Sequence, residues 1–169
     1  MSTKIDLYST HIEYLIEIFK FKGKINKIIE FGTGFFSTEF FINNGKEVTS
    51  IEMQSEDWYN QVKSKFEAKE NWAIHNCLGP YTFMNLDIYQ NTDFCFVDGH
   101  GDSRPECINF MIENNCPIIV SHDTEENGYG WERVNNKKNY KTHTFKKHKN
   151  WTTIWTSDDE LYENMINFL

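Results

Sequence analysis

Gly32 and Gly34 stand one residue apart where an apolar run, KIIEF (27–31), gives way to a helical pattern, FSTEFFINNG (36–45). Gly32 permits a sharp turn out of a strand, and Gly34 lets ligand atoms approach the backbone. Amides at the start of the following helix attract a carboxylate or a phosphate. Glu52 ends a second apolar run twenty residues after Gly32. A carboxylate there can accept both hydroxyls of a ribose. Together these residues point to a nucleoside-type ligand. A dinucleotide fingerprint wants a third glycine where this chain has Ser37, and Phe35 and Phe36 crowd a pyrophosphate. A methionine carboxylate needs less room. The plain alternatives are a tight turn without a ligand and an exposed strand-end acid.

A second constellation follows two later apolar runs: Asp98, Gly99, His100, Asp102 and Arg104 after DFCFV, and His122, Asp123 and Glu125 after CPIIVS. Two chemical readings stand side by side. In one, His100 or His122 is a general base oriented by neighbouring acids. In the other, Asp98 and Asp123 hold Mg²⁺, which lowers the pKa of a substrate hydroxyl. The bland alternatives are a loop-capping Asp98 that only touches the cofactor and a hydrogen-bonded His122 at the core edge. On adjacent strands about 4.8 Å apart, Asp98 and Asp123 converge, and two such acids repel unless a cation, a proton or an arginine lies between them. A histidine is the expected partner, with activity independent of metal. Arg104 pairs with Asp102 or holds an anionic substrate.

The elements that must place these residues alternate. STHIEYLIEIF sets Ile12, Leu15, Ile16 and Phe19 on one helical face, with Thr10 and Glu13 in capping-box spacing. KIIEF, EVTSIEM, NWAIHNC, DFCFVDG and CPIIVSHD read as strands. SEDWYNQVKSKF reads as a helix capped by Ser55, with Trp58, Val62 and Phe66 four apart, and SRPECINFMIENN as a helix with Ser103 and Glu106 in capping-box spacing. Alternation of this kind predicts a doubly wound, mostly parallel α/β sheet. THTFKKH and WTTIWTS, linked only by Lys149 and Asn150, predict a closing antiparallel hairpin. The segment 124–141 is long for a connection, with Tyr129 and Trp131 placed either to stack on a substrate ring or to pin the loop.

A chain of 169 residues with 14 phenylalanines suits one domain over 1–169. Mean hydropathy of -0.62 and no long apolar run argue against a membrane span, and MSTKIDLYSTHIEY has no apolar signal core. The four cysteines, 77, 95, 107 and 116, form no CxxC pair, so reduced thiols and a cytoplasmic setting are expected. The net charge of -8 argues against non-specific nucleic-acid binding, although KKNYKTHTFKKHK (137–149) is basic. Lysines there read first as protection of a sheet edge.

The runs IIEFGTGFFST, SIEM, DFCFVDGHGDSR and IIVSHD with the hairpin resemble the class I S-adenosylmethionine-dependent methyltransferases over residues 10–156. The VDGH and HDT pair is similar to small-molecule and sugar O-methyltransferases. The resemblance implies a Rossmann-like fold and S-adenosylmethionine as cofactor. It places the methionine part at Glu30, Phe31, Gly32 and Gly34, the ribose at Glu52, and the adenine at Cys77 and Leu78, with Asp98 also near the cofactor. The residues at the strand ends give the catalytic candidates Asp98, His100, His122 and Asp123. In metal-dependent members the second acid is followed by Asn, whereas Thr124 follows Asp123 here. A non-catalytic S-adenosylmethionine-binding protein and a nucleic-acid or protein methyltransferase are the alternatives. An NAD-dependent oxidoreductase is disfavoured by Ser37 and the hairpin.

Overall fold

β1 (Lys27–Phe31) pairs in parallel with β2 (Glu47–Glu52) on one side and β4 (Phe94–Val97) on the other. β3 (Trp72–Asn76) extends the sheet beyond β2, and β5 (Ile118–His122) beyond β4, both in parallel. β7 (Thr152–Thr156) is antiparallel to β5, and β6 (Lys141–Phe145) is antiparallel to β7 at the edge. The order is therefore β3-β2-β1-β4-β5-β7-β6. The computed structural model describes residues 9–23, 25–79, 81–135 and 139–168. Among them no helix is long and apolar enough to cross a membrane.

Strand alternation divides the core. Ile28, Phe94, Phe96, Val120 and Ile154 face one layer, where they meet α1 (Ile12–Lys22), α2 (Ser37–Asn44) and α5 (Asp159–Ile166) through Leu15, Ile18, Phe41, Leu161 and Met165. Ile29, Phe31, Cys95, Val97 and Ile119 face the other, against Cys107, Ile108 and Met111 of α4 (Arg104–Glu113). α3 (Glu56–Phe66) packs Val62 and Phe66 on Ile42 of α2 and on Trp72 and Ile74 of β3. All four cysteines are buried and free.

Ser55 caps α3 as expected, its hydroxyl accepting from the Trp58 amide at 3.1 Å. Both proposed capping boxes fail because other partners take their side chains, distant ones for Thr10, Glu13 and Glu106 and a local carbonyl for Ser103. The Thr10 hydroxyl lies 2.9 Å from His122 Nε2, and Glu13 pairs with Lys147 and His148 of the hairpin link. Ser103 donates to the His100 carbonyl, and Glu106 binds Arg133. The buried face of α1 is Tyr14, Leu15, Ile18 and Phe19, while Ile16 is exposed. The hairpin strands stop at Phe145 and start again at Thr152, so the link is 146–151 rather than two residues. Between β3 and β4 the described residues hold only a 3₁₀ turn, Thr82–Asn85, in place of a crossover helix. α5 was not expected, yet Asp158 caps it and Leu161 and Met165 give it a one-turn apolar repeat.

Candidate active site at the carboxyl ends of the strands

Gly32 leaves β1 with φ +81°, and its amide still donates to the Ile51 carbonyl at 2.8 Å. A Cβ on Gly32 would lie 2.3 Å from the Gly99 Cα. The loops after β1 and β4 thus touch backbone to backbone. Gly34 is different: a Cβ there would meet only the Ser37 hydroxyl, at 3.2 Å. Its freedom from contact leaves room for a ligand, and it lines a cavity.

Glu30 faces away from that room. It is wholly buried, and three hydroxyls reach its carboxylate: Ser37 at 2.6 Å, Thr38 at 2.7 Å and Ser50 at 2.6 Å. Thr38 Oγ1 accepts from the Gly34 amide and Ser50 Oγ from the Trp72 indole, so both must turn their own hydrogens toward Glu30. Glu30 therefore ties the loop from inside through these three hydroxyls. Phe31 is likewise a core side chain, and only its backbone reaches the site, accepting from the Asp98 amide.

Burial raises the Glu30 carboxyl from 4.5 to about 7, against the opposing pull of the three hydroxyls and with a further push from Asp98. The consequence for stability has a definite sign. Below pH 4.5 both states are protonated. Between 4.5 and 7 the unfolded chain ionises first, so stability falls as pH rises, by about 3 kcal/mol in all. Glu30→Gln is expected to abolish this slope. Urea unfolding of both chains from pH 5 to pH 8 measures it, and parallel curves would show that Glu30 does not titrate as placed.

Glu52 is also buried. Its Oε2 accepts from the Thr33 hydroxyl at 2.5 Å and the Thr33 amide at 3.3 Å, and its Oε1 from the Gln54 amide at 2.6 Å. The acid at the end of β2 thus ties the β1 loop to the β2 loop. Trp58 completes the tie, its indole N–H donating to the Thr33 carbonyl at 2.8 Å.

Asp98 and Asp123 converge as the strand order requires, and Arg104 lies between them. Its Nη2 is 3.0 Å from Asp98 Oδ1 and 3.7 Å from Asp123 Oδ2. The same guanidinium donates to the carbonyls of Gly99 at 2.9 Å and His122 at 2.5 Å, and its flat face covers the Tyr129 ring at 4.7 Å. Arg104 is nearly fully buried and pairs with neither Asp102 nor the outside. His122 Nδ1 lies 3.6 Å from Asp98 Oδ2 and 3.5 Å from Asp123 Oδ1. Burial pushes the Asp98 carboxyl up, but the His122 contact and the Arg104 charge together hold it below its ordinary range. His122 is depressed by burial and raised more by Asp98 and Asp123, so its net shift is upward. Asp123 sits in the left-handed region, φ 54°, steadied by Asn150 at 2.5 Å.

His11, not singled out in the sequence, completes the cluster. Its ring stands edge-on to His122, centroids 4.6 Å apart. Burial first, then the His122 charge, lower it to about 3 despite Asp98. A polar residue opening an amphipathic helix carries no distinctive signal, so nothing in the sequence marked it.

Two cavities open along this edge. One, about 280 Å³, is lined by Met53, Cys77, Leu78, Gly79, Tyr81, His100, Asp102 and Ser103. The other, about 300 Å³, is lined by His11, Gly34, Phe35, Phe36, Ser37, Trp58, Asp98, His122, Asp123 and Asn150. The sequence grouped His100 with His122; the structure puts them on different cavities. Tyr129 and Trp131 pin their loop. Tyr129 packs against Gly101 and Arg104, and Arg133 holds Glu106 and the Asp102 carbonyl. Of the basic run, Lys137 and Lys138 lie outside the described residues, while Lys141 pairs with Asp159 and Lys147 with Glu13.

A parallel sheet with a reversed β7 and two clefts at its carboxyl edge has the architecture of the class I S-adenosylmethionine-dependent methyltransferases. No family model and no curated protein matches the chain. Among solved structures it is similar to the O-methyltransferase from Bacillus cereus in complex with S-adenosylhomocysteine, at 16% identity and TM-score 0.69, covering 91% of this chain and 84% of that one. It is similar to the O-methyltransferase TomG from Streptomyces achromogenes, involved in tomaymycin synthesis and solved with S-adenosylmethionine, at 14% identity and TM-score 0.62, covering 88% and 86%. It is similar to the N-methyltransferase NodS from Bradyrhizobium japonicum, in complex with S-adenosylhomocysteine, at 11% identity and TM-score 0.65, covering 90% and 88%. At these identities the likeness is one of fold, and oxygen and nitrogen methylation both occur on it.

Proposed function

We propose that the chain, as one domain over 1–169, is an S-adenosylmethionine-dependent methyltransferase acting on a hydroxyl of a small molecule or sugar. The paired cavities carry this reading: two volumes near 300 Å³ open at the carboxyl ends of the strands, one walled by Met53, Cys77, Leu78 and Tyr81 with His100 and Asp102 at its rim, the other bearing two carboxylates and two imidazoles. Each is near the lower end of small-molecule pockets. Cys77 and Leu78, with Met53, offer the adenine an apolar wall. A ribose reaching Glu52 exchanges its hydroxyls for that of Thr33. Gly34 leaves the methionine part room beside the α2 amides. Four buried, free thiols favour a reducing cytoplasm.

Bound S-adenosylmethionine supplies a methyl group on a sulfonium, which is already a good leaving group. The protein must then align the acceptor and take its proton. Phe35, Phe36 and Trp58 wall the acceptor cavity, and Asp98 and Asp123, each about a quarter exposed, face it. A carboxylate of this pair accepts a hydrogen bond from the acceptor's O–H and takes its proton as the methyl transfers, becoming neutral, while His122 beside both acids holds them in place. His100 belongs with the adenine cavity and leaves the proposed catalytic set. Mg²⁺ shared by Asp98 and Asp123 is left out of the proposal, because Arg104 already lies between them.

Calorimetry with S-adenosylhomocysteine and NAD is the test. We expect the former to bind at least about 100-fold more tightly, or roughly 2.8 kcal/mol. Tighter NAD binding would overturn the cofactor. Methyl-labelled cofactor incubated with hydroxylated metabolites should then yield labelled ethers. Binding without transfer to any of them would favour a non-catalytic binder.

A further inference from the structure

We infer that His11, Asp98 and His122 form a site for a divalent transition metal at the floor of the acceptor cavity. One ligand atom from each of the three lies within 4.8 Å of the other two. His11 is the first reason. It is 2% exposed, and neither ring nitrogen has a hydrogen-bond partner. A buried polar group without a partner costs about 1–3 kcal/mol. The ring packs between Phe96, at 4.9 Å, and His122, at 4.6 Å. A ligand that uses one nitrogen accounts for an imidazole kept in such a place.

The geometry of His122 is the second. Its Nε2 lies 2.9 Å from the Thr10 hydroxyl, the outer contact that a metal-bound imidazole makes with its free N–H. When Nε2 carries the proton, the Nδ1 lone pair faces two carboxylates and a cation between them relieves the repulsion; when Thr10 donates instead, Nδ1–H faces them and no ion is needed. The Nδ1 to Asp98 Oδ2 distance is 3.6 Å, long for a hydrogen bond. Two ligands about 2.0–2.1 Å from a tetrahedral ion stand about 3.4 Å apart. Asp98 keeps its other oxygen, Oδ1, on Arg104, which fixes the carboxylate as a second contact does for a metal ligand. Asp123 Oδ1, 3.5 Å from the same Nδ1, borders the open side of the site.

The donor set selects the ion. Two imidazoles and one carboxylate suit Zn²⁺, Co²⁺ or Fe²⁺, whereas Mg²⁺ takes oxygens. The site differs from a carboxylate pair at the ends of β4 and β5 in needing a residue from the start of α1. The rival arrangement is a protonated His122 bridging Asp98 and Asp123 with His11 idle, and the experiment separates the two.

The chelator-treated full-length chain is titrated with Co²⁺ alone, reading visible absorption, and then with Zn²⁺ and Mg²⁺ by calorimetry. One equivalent of Co²⁺ or Zn²⁺ should bind, with Mg²⁺ too weak to saturate. His11→Gln should weaken Co²⁺ by at least about 100-fold, since the loss of a contact behind a ligand already costs about 10–100-fold. His143→Gln, on the edge strand, should change nothing. If His11→Gln proves unfolded, pulsed electron paramagnetic resonance of the Cu²⁺-loaded parent chain counts the coordinated imidazoles. Two are expected, and fewer than two overturns the site. Absence of saturable Co²⁺ binding, or equal binding by His11→Gln, also overturns it. The probe is the metal alone, so methyl transfer can fail without touching this result, and the site can fail while methyl transfer stands.

Discussion

Gly32→Ala is expected to cost about 2–5 kcal/mol of stability. Two terms add. The residue holds φ +81°, where an L side chain costs about 1–2 kcal/mol. The added Cβ would also stand 2.3 Å from the Gly99 Cα and 2.4 Å from its amide nitrogen. These are backbone atoms that no rotamer can move. Parting the loops strains the Gly32 amide bond to Ile51 and the Asp98 amide bond to Phe31, and overpacking of this kind costs about 1–3 kcal/mol. Against a total stability of about 5–15 kcal/mol the sum is large. Gly128→Ala is the control. It has nothing within 4 Å and ordinary backbone, so it should be neutral or slightly stabilising. Urea unfolding decides the matter, and a Gly32→Ala cost under about 1 kcal/mol would mean that the loops do not touch as described.

The same glycine shows what the sequence revealed. The turn at Gly32, the paired strand-end acids, the Ser55 cap and the closing hairpin all depend on local chemistry and period, and local chemistry is legible. Gly99 as the surface Gly32 must clear was not, because that contact joins loops 67 residues apart. Thr10 and Ser103 had the spacing of helix caps, but Thr10 bonds His122, 112 residues away, and Ser103 bonds the His100 carbonyl. Arg104 was marked, yet its neighbour in sequence, Asp102, proved the wrong acid. α5 is legible in Asp158, Leu161 and Met165, a cap followed by a one-turn apolar repeat, although it lies beyond the alternating pattern that defines the sheet. Glu30 was read as a ligand contact by resemblance. The Ser37, Thr38 and Ser50 hydroxyls that enclose it come from two elements that only the fold brings together.

Arg104→Met is expected to cost about 3–5 kcal/mol, the loss that follows when one partner of a buried ion pair is removed. Methionine fills much of the volume and keeps the stem packing, so the change isolates the charge and its donors. The guanidinium serves four acceptors at once: Asp98, Asp123 and the carbonyls of Gly99 and His122. Without it the two carboxylates face each other across His122 alone. The Gly99 and His122 carbonyls lose donors in the interior, and Tyr129 loses the cation over its ring. Arg104→Lys should recover only part, because an ammonium cannot span both carbonyls and both acids in one plane. Adding Asp123→Asn to Arg104→Met separates repulsion from lost packing. If unpaired negative charge dominates, the double variant should be more stable than Arg104→Met, although two residues have then been changed. Chemical unfolding of these three variants and of Asp123→Asn alone at pH 7 measures this. A double variant that is less stable by the full sum of the single changes would show that Arg104 acts through its packing and its carbonyl bonds, and that the two acids tolerate one another without it.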